Sequence, residues 1–117
     1  MPKRNNRTRS WQRTAEMYRD LGYLVAKTEY THRGKSHDLL GIIDGLALGI
    51  GETIGLQACG VDFQPHVRKI LGSHQDKTKA WLAAGNRLVI VGWRKLKKGK
   101  QERWTPRVQE ITWADFQ

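Results

Sequence analysis

At 117 residues the chain is long enough for one well-buried domain and too short for a second, and its 38% hydrophobic residues fall in runs that alternate with polar stretches, which excludes global disorder. The single cysteine, Cys59, excludes an internal disulfide, and no stretch reaches the ~20 apolar residues of a membrane span or forms a secretory signal, so a soluble, cytoplasmic protein is expected. A formal charge of +10, from 21 Lys and Arg against 11 Asp and Glu, favours a polyanion partner, because each cation that neutralises a phosphate releases counterions. DNA leads, and structured RNA fits the charge equally well. The alternative, charge that serves only solubility or an anionic lipid surface, lacks a basic amphipathic helix to support it.

In chain order, residues 1–8 read as a flexible basic arm, and residues 9–117 as a single domain. "SWQRTAEMYRDLG" predicts a helix of about three turns, with Ser10 as N-cap, Trp11, Ala15, Tyr18 or Met17, and Leu21 at helical spacing, and Gly22 as its stop. "YLVAKTEY" (23–30) predicts a strand and "THRGKSH" a polar loop. "LLGIIDGLALG" (39–49) and "TIGLQACG" (53–60) predict two strands joined by a tight turn. A second helix is expected through "HVRKILGSHQDKTKAWLAAG", with Pro65 in its first turn, Gly85 as its stop, and a kink or split at Gly72 and Ser73. "RLVIVGWRK" and "WTPRVQEITW" read as two final strands paired across the basic turn "KLKKGKQER". The expected class is α/β: a mixed sheet flanked by helices, in the order α-β-β-β-α-β followed by a last strand.

The charges are unevenly placed. Residues 1–35 hold nine Lys and Arg, residues 68–117 hold twelve, and residues 36–67 hold none, yet four acids (Asp38, Asp44, Glu52 and Asp62) lie there. An Asp inside an apolar strand is costly to bury without a partner. If the turn takes two residues, Ile50 and Gly51, then Leu48 faces Thr53 and Asp44 faces Gln57 on one side of the sheet; a slip of one residue would separate them. A carboxylate and an amide carbonyl side by side are hard oxygen ligands of the kind Mg²⁺ or Mn²⁺ takes. Basic flanks around an acidic centre suit phosphodiester chemistry, the flanks holding the backbone and the centre the ion that acts on it.

"IIDGLALGIGETIGLQAC" resembles the core of the PD-(D/E)XK nuclease superfamily, whose signature is an Asp at one strand and an acidic-x-Lys on the next. "RDLGYLVAKTEY" is similar to the helix-to-strand entry of Holliday junction resolvases in that superfamily, and "DLLGIID" with a Gln-containing strand resembles small phage-type members. The likeness covers roughly residues 10–93. It implies a restriction-endonuclease-like domain, a metal-dependent endonuclease, branched or junction DNA as substrate, and a homodimer able to cut two strands. Asp44 then stands at the metal-binding Asp, Gln57 at the Glu/Asp slot and Cys59 at the Lys slot, with Asp38 as auxiliary metal ligand. Cys59 departs from the pattern, so Lys27 and Lys69 become candidates for the missing cation, and Glu16 for a ligand from the first helix. The opposing implication is a nuclease-like DNA-binding module without catalysis.

Each residue also has a plain structural role. Asp38 suits a turn before a strand, Gln57 a hydrogen bond within the sheet, Glu52 a solvated turn and Cys59 a small buried filler. His32, His37, His66 and His74 lack zinc-ligand spacing, and with no second cysteine no zinc site is expected. Trp81 and Trp93 are expected in the core, and Trp11 and Trp104 in packing or on exposed bases. The phosphate contacts expected from the basic runs are Lys3, Arg4, Arg7, Arg9, Arg68, Lys69, Lys95, Lys97, Lys98 and Lys100. No GxxxxGK[ST] loop points to nucleotide hydrolysis.

Overall fold

The computed structural model describes residues 6–117, with side chains from residue 9 onward. Helix α1 spans Asn6–Asp20 and buries Trp11, Ala15 and Tyr18, the spacing expected of one helical face. It begins before the expected N-cap, because residues 6–9 carry no Gly or Pro to stop it, so Ser10 lies buried within the helix; residues 1–5 of the expected arm lie outside the described residues. Thr14 locks this helix down: its hydroxyl donates to the Ser10 carbonyl over 2.8 Å and accepts the Trp93 indole N–H over 2.9 Å. Gly22, at φ 98°, ends the turn.

The predicted strand over 23–30 is shorter, β1 at Leu24–Lys27. The expected polar loop is a small hairpin instead, β2 (Tyr30–His32) and β3 (Lys35–His37), with Tyr30 opposite His37 and their rings stacked. Arg33 and Gly34 both take positive φ (52° and 78°), the conformation a two-residue hairpin turn requires. The predicted strand over 39–49 is likewise cut to β4, Gly45–Gly49. Leu40 and Gly41 at φ 57° and 74° fold the preceding residues into a turn that bridges Leu39 to Ile43.

Strand β5 (Glu52–Cys59) follows the two-residue turn Ile50–Gly51, and Leu48 pairs with Thr53 in the expected register. The predicted second helix splits at Gly72–Ser73 into α2 (Phe63–Leu71) and α3 (Gln75–Ala83), which Thr78 joins by donating to the Ile70 carbonyl over 2.8 Å. Strands β6 (Arg87–Lys98) and β7 (Gln101–Ile111) run in unbroken register from Leu88–Ile111 to Lys98–Gln101, so most of the expected basic turn is strand. A single 3-10 turn, Trp113–Phe116, ends the chain.

The five-stranded sheet is ordered β1-β4-β5-β6-β7; only β5 and β6 are parallel, joined by the α2–α3 crossover. Alternation along the strands gives two cores. One packs Trp11, Ala15 and Tyr18 of α1 on Ile54, Leu56, Ala58, Val89 and Val91. The other packs Phe63, Val67 and Ile70 of α2 on Ile43, Cys59, Leu88, Ile90 and Ile111. The chain is thus a mixed α/β sheet with helices on both faces, and no described helix is long and apolar enough to cross a membrane.

Candidate metal and nucleic-acid site

Asp44 sits immediately before β4, and its backbone is held on both sides. Its N–H donates to the Leu56 carbonyl over 2.8 Å, and its carbonyl accepts the N–H groups of Thr28 and Glu29 over 2.9 and 3.0 Å. With Gly45 opposite Leu56, the antiparallel register carries Asp44 to Gln57. Carboxylate oxygen Oδ2 of Asp44 accepts the Gln57 Nε2–H over 2.9 Å and the Ala58 backbone N–H over 2.8 Å. Asp44 is 1% exposed and Gln57 0%. Two N–H donors to one carboxylate oxygen offset part of what removing that charge from water costs. Gly45 is required beside it: a Cβ there would lie 2.0 Å from the Trp11 ring and 2.7 Å from the Ala26 carbonyl.

The fold groups Asp44 with Asp38 and Glu29, one oxygen from each lying within 4.8 Å of the others. The sequence points to Asp38 here but not to Glu29. The signal for Glu29 lies in the pairing of β1 with β4: Lys27 opposite Gly45 sets Glu29 just past the strand end, where its N–H reaches Asp44. Gln57 stands behind the group, with Oε1 fully buried and no hydrogen-bond partner for it among the described residues. Three carboxylates are a donor set that fits a hard divalent cation such as Mg²⁺ or Mn²⁺.

The two expected lysines flank this group. Lys27 Nζ lies 3.9 Å from Glu29 Oε2. Lys69 lines an open cleft of about 640 Å³ together with Asp38, His37, Asp62, His66 and Lys77. Cys59 supplies no cation: burial, then the carboxylates of Asp62 and Asp44, push its thiol up to about 12. Glu16 falls elsewhere, in a hollow on α1 with Arg9, Gln12 and Arg13. Glu52 is not the solvated turn residue expected; it accepts from the Tyr23 hydroxyl and from Arg87, both over 2.8 Å, and Arg87 also grips Glu110 through two nitrogens. That network fastens β5, β6 and β7 at the edge away from the carboxylates.

Among the expected phosphate contacts, Lys95, Lys97, Lys98 and Lys100 are exposed along the β6–β7 hairpin, Arg9 is exposed on α1, and Arg68 and Lys69 lie in the last turn of α2. Lys3 and Arg4 lie outside the described residues, and Arg7 is placed only by its backbone in α1. Trp104, 40% exposed, has the Arg13 guanidinium 3.9 Å and the Lys95 ammonium 5.3 Å from its ring. Trp11, the other candidate for base stacking, is core. The fold also brings Arg94 and Arg107 to the wall of one pocket, which no motif in the sequence marks. With Phe63, Gly60, Val61 and Gly92 they line a pocket of about 190 Å³, and no carboxylate among the described residues pairs with either.

Compared with protein-family models, with curated proteins and with solved structures, the chain matches none.

Proposed function

We propose that the chain is a metal-dependent DNA endonuclease of the PD-(D/E)XK kind. The observation that carries this reading is the convergence of Glu29, Asp38 and Asp44 to within 4.8 Å, with Asp38 on the wall of a cleft that Lys69 and Lys77 also line. The element order supports it: α1, β1, β4, β5, the α2–α3 pair and β6 give α-β-β-β-α-β, with the small β2–β3 hairpin inserted between the first two strands of the sheet.

Glu29, Asp38 and Asp44 are the residues that would hold Mg²⁺ or Mn²⁺, with Gln57 holding Asp44 in place. When bound, such an ion polarises a phosphate oxygen and lowers the pKa of a bound water. The chain's own residues do the positioning. Gln57 and the Ala58 N–H fix the Asp44 carboxylate, and the backbone N–H of Glu29 is fixed to the Asp44 carbonyl. Lys69 and Lys77 offer cations to a phosphate entering the cleft, and the lysines of the β6–β7 hairpin offer a longer track for the backbone. Branched DNA and a dimer that cuts two strands extend the proposal by resemblance.

Cleavage of labelled linear duplex and four-way junction DNA in Mg²⁺, in Mn²⁺ and in chelator tests it: cutting with either metal and none in chelator is expected. One observation favours a second reading, a DNA-binding module without catalysis: the slot that holds a lysine in the superfamily holds a buried, neutral thiol. DNA binding of equal strength with and without metal, and no cutting in either, would establish that reading.

A further inference from the structure

Beside the carboxylate group lies a second, chemically different one. Cys59 at the end of β5, Asp62 just before α2 and His66 one turn into α2 bring a sulfur, a carboxylate oxygen and a ring nitrogen within 4.8 Å of one another. We propose that these three side chains form a site for a borderline-soft divalent ion, Zn²⁺ or Co²⁺, distinct from the oxygen-only site at Asp44 and independent of whether the chain is a nuclease.

The donor chemistry separates the two sites. Thiolate and imidazole select zinc and its neighbours, while carboxylate and amide oxygens suit Mg²⁺ and Mn²⁺. A tetrahedral ion with bonds of roughly 2.0–2.3 Å holds its ligand atoms roughly 3.3–3.8 Å apart, so the three donors need contract by only about 1 Å to take one up. Binding forms a bond from Cys59 Sγ to the metal and releases the thiol proton to solvent. The thiolate and the Asp62 carboxylate then balance the ion's two charges, which offsets the cost of holding it against the buried end of a strand.

The surroundings support this assignment. The Gly60 N–H donates to Asp62 Oδ1 over 3.2 Å and fixes the carboxylate from behind, as outer groups fix metal ligands. His66 Nε2 lies 3.1 Å from Asp62 Oδ2, and its Nδ1 is buried with no hydrogen-bond partner among the described residues. Asp62 and His66 also line the 640 Å³ cleft, which gives an ion a way in and leaves a fourth position open to water or an incoming ligand.

Metal-free full-length protein titrated with Co²⁺ tests the assignment through the thiolate-to-cobalt charge-transfer absorption. Expected are a band that saturates at one ion per chain, its displacement by Zn²⁺ but not by excess Mg²⁺, its loss in Cys59→Ser, and at least roughly tenfold weaker binding in His66→Ala and Asp62→Asn. Asp44→Asn keeps the band, which separates this site from the oxygen site. Circular dichroism of each variant confirms that it is folded. Absence of the band in the unaltered protein, or a band that His66→Ala and Asp62→Asn leave unchanged, would overturn the proposal.

Discussion

Gln57 donates its amide N–H to Asp44 across the β4–β5 pair, and both side chains are sealed from solvent between the sheet and the α2 side of the molecule. The same Asp44 oxygen accepts the Ala58 backbone N–H, so one carboxylate both ends the strand ladder and anchors the acidic group. Structure and proposed chemistry therefore meet in Asp44, and substitutions there separate them. Asp44→Ala strands two buried N–H donors and is expected to destabilise the fold by about 2–4 kcal/mol in urea unfolding. Asp44→Asn keeps an acceptor oxygen at the same place and is expected to lose less than half as much.

Gly45 beside it admits no side chain. In Gly45→Ala the new methyl would collide with the Trp11 ring and the Ala26 carbonyl, and the carbonyl cannot move without breaking β1 from β4. A loss of about 3 kcal/mol is expected, read as a lower denaturant midpoint with an unchanged slope. Gly51→Ala, with nothing within 4 Å but φ at 71°, is expected to lose less, and by backbone strain instead.

Cys59 gives the fold an alkaline limit. Its thiol titrates near 9.0 when unfolded and is pushed up to about 12 by burial and by the Asp62 and Asp44 carboxylates. The folded state therefore holds the proton more tightly: the stabilisation is complete below pH 9 and is lost as pH rises from there toward 12. Unfolding curves of metal-free protein and Cys59→Ala across that window are expected to converge as the pH rises. For the same reason a thiol reagent at neutral pH is expected to label the native protein far more slowly than the urea-unfolded chain.

The β6–β7 hairpin carries Lys95, Lys97, Lys98 and Lys100 into solvent, beyond the part of the sheet that the helices cover. Replacing the four with Gln is expected to weaken duplex binding at low salt and to flatten the salt dependence by about 0.9 in log–log slope for each phosphate that is no longer neutralised. An unchanged slope would place the DNA elsewhere, with Arg94 and Arg107 the next pair to replace.

Much of the site is legible in the sequence because its geometry is local. Ile50 and Gly51 leave room for a two-residue turn only, that turn pins the register, and the register sets Asp44 against Gln57. Glu29 escapes such a reading because it reaches Asp44 through β1–β4 pairing, across a hairpin that polar residues conceal. Nothing in "YTHRGKSH" alternates apolar with polar, and only the backbone at Arg33 and Gly34 reveals the turn. The basic stretch after Trp93 reads as a turn for a related cause. Its strands lie beyond the helices with both faces exposed, so no hydrophobic period marks them. Glu52 reads as solvated because its partners, Tyr23 and Arg87, stand far from it in the chain, on either side.

Strand cleavage of labelled duplex and four-way junction DNA by the unaltered protein and by Asp44→Asn, side by side in Mn²⁺, tests the proposed metal centre. Cutting by the first, no cutting by the second and similar DNA binding by both is the predicted result. Equal cutting by the two proteins, or none by either, would contradict a metal centre built on Asp44.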